Sequence, residues 1–372
     1  MINKNWAFAL GILSLSTAIV AADQNMQDKQ PPMPMGVTSQ PTGVITPPVA
    51  PAVNNGADLF ITADFIYWKE YQNGLEFAES GIAGTTLASG TTLSRGTVAA
   101  PRGAWEPGFK VGLGLEFAHD GWDLFAQYTW LAPQSGNGNK TTATDPVGTS
   151  NLYPLLGAYK GLTGANSTSA PALNSASATW KMHYNVLDLE LGRNFFVSRY
   201  MTLRPHFGLK AAWMTQRFNV SQDFNTAMSS LFRSEQINHK QKNWGLGIRT
   251  GLNPVWHFAR SWGMYGEFAF SALYSYFKGK GDDTLYTGYG QTGTASQYEV
   301  AERNFHGVTP VLELGLGLEY MGWFYDEAYM LEVKAGWEEQ VWFQTNQLVN
   351  GLTSGAGNLT TQGFTFKVGF HF

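Results

Sequence analysis

Apolar and polar residues alternate with a period of two along most of the chain after Gly56, which is typical of β-strands with two different faces. Residues 108–117 show the pattern most clearly. Five apolar side chains share one face of this stretch: Phe109, Val111, Leu113, Leu115 and Phe117. The opposite face carries Lys110, Gly112, Gly114 and Glu116. Such a small and charged face is not the face of a protein core.

The same alternation predicts ten strands. They lie at residues 57–69, 108–117, 122–131, 179–193, 203–213, 244–252, 262–277, 308–320, 329–337 and 363–372. Within 179–193, Val186 and Leu187 break the phase, and we interpret the break as a β-bulge. The predicted connections at 70–107, 132–178, 221–242, 278–304 and 341–362 are long, and those between them are short.

Two architectures compete for these strands. In a soluble β-sandwich the apolar faces pack together and the polar faces meet water, so the polar faces should be rich in Lys, Glu and Thr. In a transmembrane barrel the apolar face meets lipid, the other face lines a lumen, and closure pairs every backbone group inside the membrane. The second faces of this chain are full of glycine, which favours the barrel.

The connections support the same interpretation, because long and short ones alternate without exception. A barrel with both termini in the periplasm and an even number of strands produces this alternation. We therefore predict an all-β fold, a transmembrane antiparallel β-barrel of about 10 strands (roughly 8–16), with short periplasmic turns and long external loops. The range is wide because 70–107 and 132–178 are long enough to contain further hairpins.

Tyrosine and tryptophan cluster near both ends of the predicted strands, where amphipathic rings favour the headgroup boundary. Near the short turns lie Trp122, Tyr200, Trp256, Trp262, Tyr320, Trp323 and Tyr325. Near the long loops lie Tyr67, Trp68, Trp130, Trp180, Trp213, Tyr274, Tyr276, Trp337 and Trp342. We interpret these sets as two aromatic girdles.

The amino-acid composition further narrows the classes of protein to which the chain can belong. Charged residues make up 14% of the 372 residues, against roughly 25% in ordinary globular domains. No apolar run of 18 residues follows the N-terminal region, so membrane-spanning helices are not expected in the mature chain. A net charge of −4 argues against nucleic acid as a partner, and the absence of cysteine excludes disulfides and thiolate sites.

The first 22 residues have the features of a signal peptide. Lys4 supplies the positive start, an apolar stretch follows, and small residues precede a cleavage site between Ala22 and Asp23. Residues 23–56 contain seven prolines and are predicted to form an extended periplasmic linker. The barrel is predicted to occupy 57–372, in the outer membrane of a Gram-negative bacterium.

The last strand ends on an aromatic face. Phe364, Phe366, Val368, Phe370 and Phe372 occupy every second position up to the carboxyl terminus. This pattern resembles the signal by which the outer-membrane barrel assembly machinery recognises its substrates, which makes that machinery an expected partner.

Three further segments resemble the Legionella-type major outer membrane protein family, a group of porin-like barrels also found in chlamydia-related bacteria. They are "ADLFITADFIYWKEYQNGLEFA" at 57–78, "YNVLDLELGRNFFVSRYMTLRPHFGLKAAWM" at 184–214 and "GVTPVLELGLGLEY" at 307–320. The resemblance implies an abundant surface porin with roles in envelope integrity and host-cell attachment. Chlamydial major outer membrane proteins proper are rich in cross-linking cysteines, but this chain has none, so disulfide-linked stiffening does not carry over to it.

Charged side chains share the predicted inward phase, as expected because Arg or Lys on the lipid face costs roughly 2–4 kcal/mol at the midplane. The basic ones are Lys110, Lys181, Arg193, Arg204, Lys210, Arg249, Lys334 and Lys367. The acidic ones are Glu116, Asp123, Glu267, Glu313, Glu319, Glu332 and Glu338. His206 extends the ladder formed by Arg204 and Lys210. These residues either line open water or pair across a filled barrel.

Enzyme chemistry has little support in the sequence. No metal-binding histidine spacing, nucleophile motif or phosphate-binding loop occurs. His183 beside Asp188, and Asp282 with Asp283, are the candidates that a barrel enzyme could use. We expect no enzyme activity, no metal and no cofactor.

The sequence predicts a porin-like barrel for passive diffusion of small hydrophilic solutes, including ions. The alternative is a structural or adhesive surface barrel whose external loops bind host cells or stabilise the envelope. Both have outer-membrane lipid as a partner, and a homo-oligomer is expected by analogy with trimeric porins.

Overall fold

The computed structural model describes residues 56–80, 97–118, 121–135, 141–144, 152–157, 173–224, 232–287, 294–325, 328–350 and 353–372. All of them belong to one compact unit, Val44–Phe372. The predicted signal peptide, its cleavage site at Ala22 and Asp23, and the predicted linker up to residue 55 lie outside the described residues. Among the described residues, no helix is long and apolar enough to cross a membrane.

Fifteen strands are present in the described residues. They are β1 Ala57–Gln72, β2 Ala78–Ser80, β3 Thr97–Ala99, β4 Trp105–Phe117, β5 Trp122–Leu131, β6 Thr141–Thr144, β7 Leu152–Pro154, β8 Leu173–Arg193, β9 Phe195–Ser198, β10 Met201–Phe224, β11 Phe232–His257, β12 Trp262–Thr287, β13 Thr294–Phe324, β14 Tyr329–Asn350 and β15 Thr353–His371.

Ten of these strands form a closed antiparallel ring in the order β1–β4–β5–β8–β10–β11–β12–β13–β14–β15. The last strand closes the ring, because Phe366 pairs with Ala335 of β14 on one side and with Phe65 of β1 on the other. Closure leaves no open edge in the ring, as a membrane-spanning sheet requires. The predicted all-β barrel of about ten strands is therefore confirmed.

The remaining short strands do not enlarge the ring. β2, β3 and β7 form a separate three-stranded sheet, whereas β6 pairs with β8 and β9 pairs with β10. The described parts of 70–107 and 132–178 thus add no further strands to the barrel wall.

The predicted loop boundaries at 221–242, 278–304 and 341–362 are wrong. β10 continues to Phe224 and β11 begins at Phe232, so most of the first range is strand. The other two ranges also consist mainly of strand, because the chain between β12 and β13 is 288–293 and that between β14 and β15 is 351–352. The barrel wall is taller at this end than the sequence indicated.

The outward face of the wall is apolar over a belt and aromatic along the loop-side border. Leu246, Ile248 and Phe268, for example, are 52%, 70% and 49% exposed. At the border, Trp213 pairs with Trp244, and Trp244 pairs with Tyr276. On β10, β11 and β12 the predicted girdle at this end is therefore a continuous row of paired aromatic residues.

Three tryptophans assigned to that girdle lie elsewhere. Trp68, Trp180 and Trp342 are 0%, 1% and 1% exposed because they point into the barrel. The bulge predicted at Val186 and Leu187 is also wrong, since the pairing of β8 with β5 and β10 runs through both residues without a register shift.

Above the aromatic border the two faces exchange character. In β10 the outward residues Asn219 and Ser221 are exposed and polar, whereas Phe218 and Val220 point inward and are buried. Between the girdles the wall is apolar outside, and above them it resembles a water-soluble β-barrel. β13 has 31 residues, about three times the number needed to cross a membrane.

Glycines in the inward face make room for flat aromatic rings. A Cβ atom on Gly114 would overlap the Phe60 ring. Gly317 of β13 pairs with Gly336 of β14, and a Cβ on either residue would meet Tyr265. At these positions the glycines thus make room for rings packed against the wall.

Candidate functional site

The lumen is the candidate functional site, and its lining changes at one level of the barrel. Along β8 the inward residues are apolar from Leu173 to Val186 and acidic at Asp188 and Glu190. β10 changes at the same level, because Lys210 pairs with Asp188 and the next inward residue, Ala212, pairs with Val186. The lumen therefore has a charged half towards the short turns and a half towards the loops that is rich in aromatic and aliphatic side chains. We call the second one the apolar half, although buried polar residues such as Gln216 and His239 lie in it.

Two arginines organise the centre of the charged half. Arg204 contacts both Asp123 and Glu190, and its Nη1 lies 3.1 Å from Glu190 Oε2. Arg249 contacts Glu190 and also Glu313, with 3.0 Å between its Nη2 and Glu313 Oε2. Glu190 is therefore shared by two guanidinium groups. Planar arginine forks suit such bridging of carboxylates.

Lys210 lies at the boundary between the two halves. Its Nζ is 2.7 Å from Asp188 Oδ1 and 3.0 Å from Glu313 Oε1, and its side chain is 0% exposed. The same ammonium group faces the Trp342 ring at 5.7 Å. A second contact at this level joins Lys110 of β4 to Glu338 of β14. Both lysines therefore have the carboxylate partners that a buried charge requires.

The charged half continues towards the turns. Lys334 Nζ lies 2.8 Å from Glu332 and 3.7 Å from Glu319, and Lys367 Nζ lies 3.2 Å from Glu332. His371 Nδ1 is 3.0 Å from Glu116 Oε1. These contacts link β4, β13, β14 and β15 around the lumen.

A cavity of about 200 Å³ lies in this half. Glu267 lines it, together with Asp64, Glu319 and Lys367. His206 is buried beside it, with its Nε2 3.1 Å from Arg249 Nη1. The sequence predicted that a set of charged residues, from Lys110 to Lys367, lines the lumen. All of them have the inward phase except two.

The exceptions are Lys181 and Arg193, which the sequence placed in the lumen. Both follow the outward phase of β8: Lys181 is exposed, and Arg193 lies over the Phe195 ring at 5.0 Å. β8 keeps a single phase through Val186 and Leu187, so its even-numbered residues, including Asp188 and Glu190, point inward. The sequence missed these two, and it also missed Asp64 and His371, although they lie in phase with predicted neighbours.

The apolar half is filled from wall to wall. Trp68, Trp180, Tyr184 and Trp342 are all 1% exposed or less. The Tyr184 hydroxyl donates a hydrogen bond of 2.7 Å to Gln340 Oε1, and its ring meets the Trp342 ring edge-on at 5.7 Å between centroids. Side chains from opposite walls therefore meet in this half.

The candidate enzyme residues do not form a site together. His183 is exposed on the outward face, whereas Asp188 points inward to Lys210. Asp283 is buried with its Oδ1 3.5 Å from His239 Nε2. Within the described ranges, no group of three His, Asp or Glu side chains could hold a metal ion.

The terminal aromatic face points away from the lumen. Phe364, Phe366 and Phe372 are 42%, 38% and 44% exposed, and Val368 and Phe370 share their outward phase. The backbone N–H of Phe372 donates to the carbonyl of Leu59, which joins the end of the chain to β1. Recognition of this face by the assembly machinery stays a prediction.

Several solved structures are similar to the chain at low identity. The outer membrane protease OmpT from Escherichia coli is 9% identical, with 85% of this chain and 96% of that chain covered at a TM-score of 0.38. A FadL homologue from Pseudomonas aeruginosa is 10% identical, with 89% and 95% covered at a TM-score of 0.23. A major outer membrane protein from Thermus thermophilus is 10% identical, with 85% and 99% covered at a TM-score of 0.25.

Among curated proteins, none matches the chain in sequence. The family described as Legionella pneumophila major outer membrane protein precursor matches residues 50–372, which include the whole barrel. The ring of ten strands, its lipid-facing belt and its charged interior agree with an outer-membrane location. The chain belongs to the Legionella major outer membrane protein family.

Proposed function

We propose that this outer-membrane barrel works through its external surface, as a structural and adhesive barrel that stabilises the envelope and binds host cells. The observation that favours the external surface over the lumen as the working part is the contact of Tyr184 with Gln340 and Trp342 inside the apolar half. It joins strands on opposite sides of the ring. A lumen bridged in this way is a core and not a channel.

The ring of ten strands is closer in size to barrels with a filled interior than to barrels with an open channel. Barrels of about eight strands are filled by side chains, and those of 16–18 strands hold an aqueous channel. A continuous water path through this ring of ten would expose Trp68, Trp180 and Trp342. Each buried aromatic side chain contributes 150–250 Å² of surface, so exposing one costs about 4–6 kcal/mol. Opening the lumen would require this cost for all three tryptophans, so the open state should be rare at equilibrium.

Passive diffusion of small hydrophilic solutes is the second candidate, and the charged cavity favours it. The cavity is lined by ionisable side chains, among them Arg204, Glu267 and Lys334, and lies towards the short turns. A solute that entered there would reach the layer of Lys110, Lys210 and Glu338. To cross the membrane it would then need the apolar half to open.

Recordings from planar lipid bilayers separate the two candidates. The purified, heat-modifiable barrel is expected to give no stepwise current at moderate voltage. Reproducible ohmic steps from the wild-type protein would overturn the surface proposal and select diffusion. A barrel of known conductance, refolded and reconstituted in the same way, controls for failed insertion.

Adhesion has its own test. Beads coated with the folded barrel are incubated with host cells before and after the external segments are trimmed with protease. The proposal expects binding that is lost on trimming, while the membrane-embedded strands remain intact by mass. Equal binding by trimmed and untrimmed beads would contradict an adhesive role.

A further inference from the structure

Just beyond the loop-side aromatic row, the outward face of four neighbouring strands carries six basic side chains. One cross-strand row consists of Lys181 of β8, Arg217 of β10, Lys240 of β11 and Lys280 of β12, each paired with the next. Two residues closer to the aromatic row, Lys242 pairs with Lys278. We call these six residues the basic rows. Lys240 is half-buried and the other five are exposed.

The arrangement is unfavourable without a counter-charge. Side chains directly opposite on antiparallel strands have Cβ atoms about 4.5–5.5 Å apart, and like charges in such pairs are destabilising. The basic rows contain four such pairs in all. Within the described residues none of the six forms an ion pair with a carboxylate closer than 4.0 Å, although Glu302 ends the longer row opposite Lys280.

The position of the basic rows relative to the membrane surface indicates which anion would neutralise them. Lys242 and Lys278 lie two residues beyond Trp244 and Tyr276, which is about 7 Å along a strand. Aromatic rings of this kind mark the boundary between hydrocarbon and headgroups. The basic rows therefore lie at the level of the headgroups of the outer leaflet. Lys and Arg bind phosphate through short, charge-assisted hydrogen bonds.

We infer that the basic rows on β8, β10, β11 and β12 bind the phosphate groups of an outer-leaflet glycolipid. The four strands cover about 14 Å of wall, enough for one headgroup with two phosphates. The acyl chains of the lipid would lie below on the apolar belt, next to Leu246 and Ile248. The site belongs to the outer surface and is independent of whether the lumen conducts.

The opposite side of the ring lacks this concentration of charge. At the same height, two residues beyond Tyr67, Phe364 and Trp337, the outward side chains are Lys69, Gln362 and Glu339. One basic and one acidic residue offset each other there. The basic rows thus occupy one sector of the barrel, and Lys69 provides a control position at matched height.

The test measures binding of diphosphoryl lipid A to the purified barrel in an uncharged detergent by isothermal titration calorimetry. The variant Lys240→Gln/Lys280→Gln removes two charges from the longer row. The control Lys69→Gln/Arg199→Gln removes two charges elsewhere, that of the half-buried Lys69 and that of the exposed Arg199. Heat-modifiable migration verifies that all three proteins are folded.

The expected result is a Kd for the Lys240→Gln/Lys280→Gln variant roughly 30-fold above that of the wild type, because each basic side chain near an anionic lipid surface contributes about fivefold. The control variant should stay within about twofold of the wild type. Equal Kd values for all three proteins would refute the proposed lipid-binding site.

Two further probes identify the source of the phosphate. Dephosphorylated lipid A is expected to bind to the wild type at least as weakly as diphosphoryl lipid A binds to the double variant, because it lacks the group that all six basic side chains would contact. Inorganic phosphate at the same phosphate concentration is expected not to displace the lipid. Tight binding of the dephosphorylated lipid would refute recognition through phosphate, and displacement by inorganic phosphate would refute a lipid-specific site.

Discussion

Tyr184 and Gln340 are hydrogen-bonded across the full width of the barrel, at 2.7 Å, from strands that are five positions apart in a ring of ten. A contact between diametrically opposite strands requires the space between them to be filled. The Trp342 ring, edge-on to Tyr184, occupies part of that space. The loop-side lumen is therefore a packed core that connects the two sides of the wall.

The first prediction concerns the hydrogen bond itself. Tyr184→Phe keeps the ring but leaves the Gln340 oxygen without its donor, so the free energy of unfolding should fall by about 1–3 kcal/mol. Chemical denaturation of the barrel in lipid vesicles measures the loss. Tyr200→Phe at an exposed turn position is the control and should change the free energy of unfolding little. An equal effect of the two substitutions would contradict a buried bridge.

The second prediction compares two tryptophans of β14 that face in opposite directions. Trp342 is 1% exposed in the lumen and Trp337 is 46% exposed on the outward face. Trp342→Ala should cost about 3–5 kcal/mol in unfolding free energy, because it leaves a cavity in a packed interior. Trp337→Ala should cost less, since lipid can fill the space. If Trp337→Ala were the more damaging substitution, the filled interior would be refuted.

The third prediction concerns the shared carboxylates of the charged half. Arg249→Gln leaves Glu190 and Glu313 buried with one cation fewer, and unfolding free energy should fall by about 3–5 kcal/mol. The double variant Arg249→Gln/Glu313→Gln removes part of the uncompensated charge. It should be more stable than Arg249→Gln alone. Strictly additive losses in this double-mutant cycle would show that the two residues are not coupled.

The fourth prediction concerns the paired glycines under Tyr265. Gly336→Ala places a methyl group against the Tyr265 side chain and the backbone of β13, and should cost about 1–3 kcal/mol. Gly322→Ala has ordinary clearance, with the nearest atom at 3.4 Å, and serves as the control. Thermal melting followed by circular dichroism reports both. Similar melting temperatures for both variants would show that the ring is not packed on this glycine.

The strand pattern and the charged half of the lumen could be predicted from the sequence because a membrane wall has a strict period of two. Lys110, Arg204 and Lys367 are found inside for the reason given by the sequence, the high cost of charge in lipid. The strand count followed from the same periodicity. None of these inferences needed contacts between distant residues.

The apolar half could not be predicted in the same way, because the faces exchange character along a single strand. In β8 the apolar residues Tyr184 and Val186 point inward, whereas Leu187 and Leu189 point outward. The sequence shows this exchange as a broken phase, which resembles a bulge. The inward tryptophans Trp68, Trp180 and Trp342 were assigned to a girdle because they lie near the ends of the predicted strands, and proximity to a strand end does not show on which side of the wall a ring lies.

The most direct test of the filled lumen uses the absence of cysteine from the chain. Ala212→Cys places a thiol in the apolar half, where Ala212 is 2% exposed, and Thr202→Cys places one in the lining of the charged cavity. Both variants are reconstituted in vesicles and treated with a membrane-impermeant maleimide from both sides. The account predicts that Cys at 202 is labelled and that Cys at 212 is labelled only after unfolding. Rapid labelling of Cys at 212 in the folded barrel would show that water passes through the lumen.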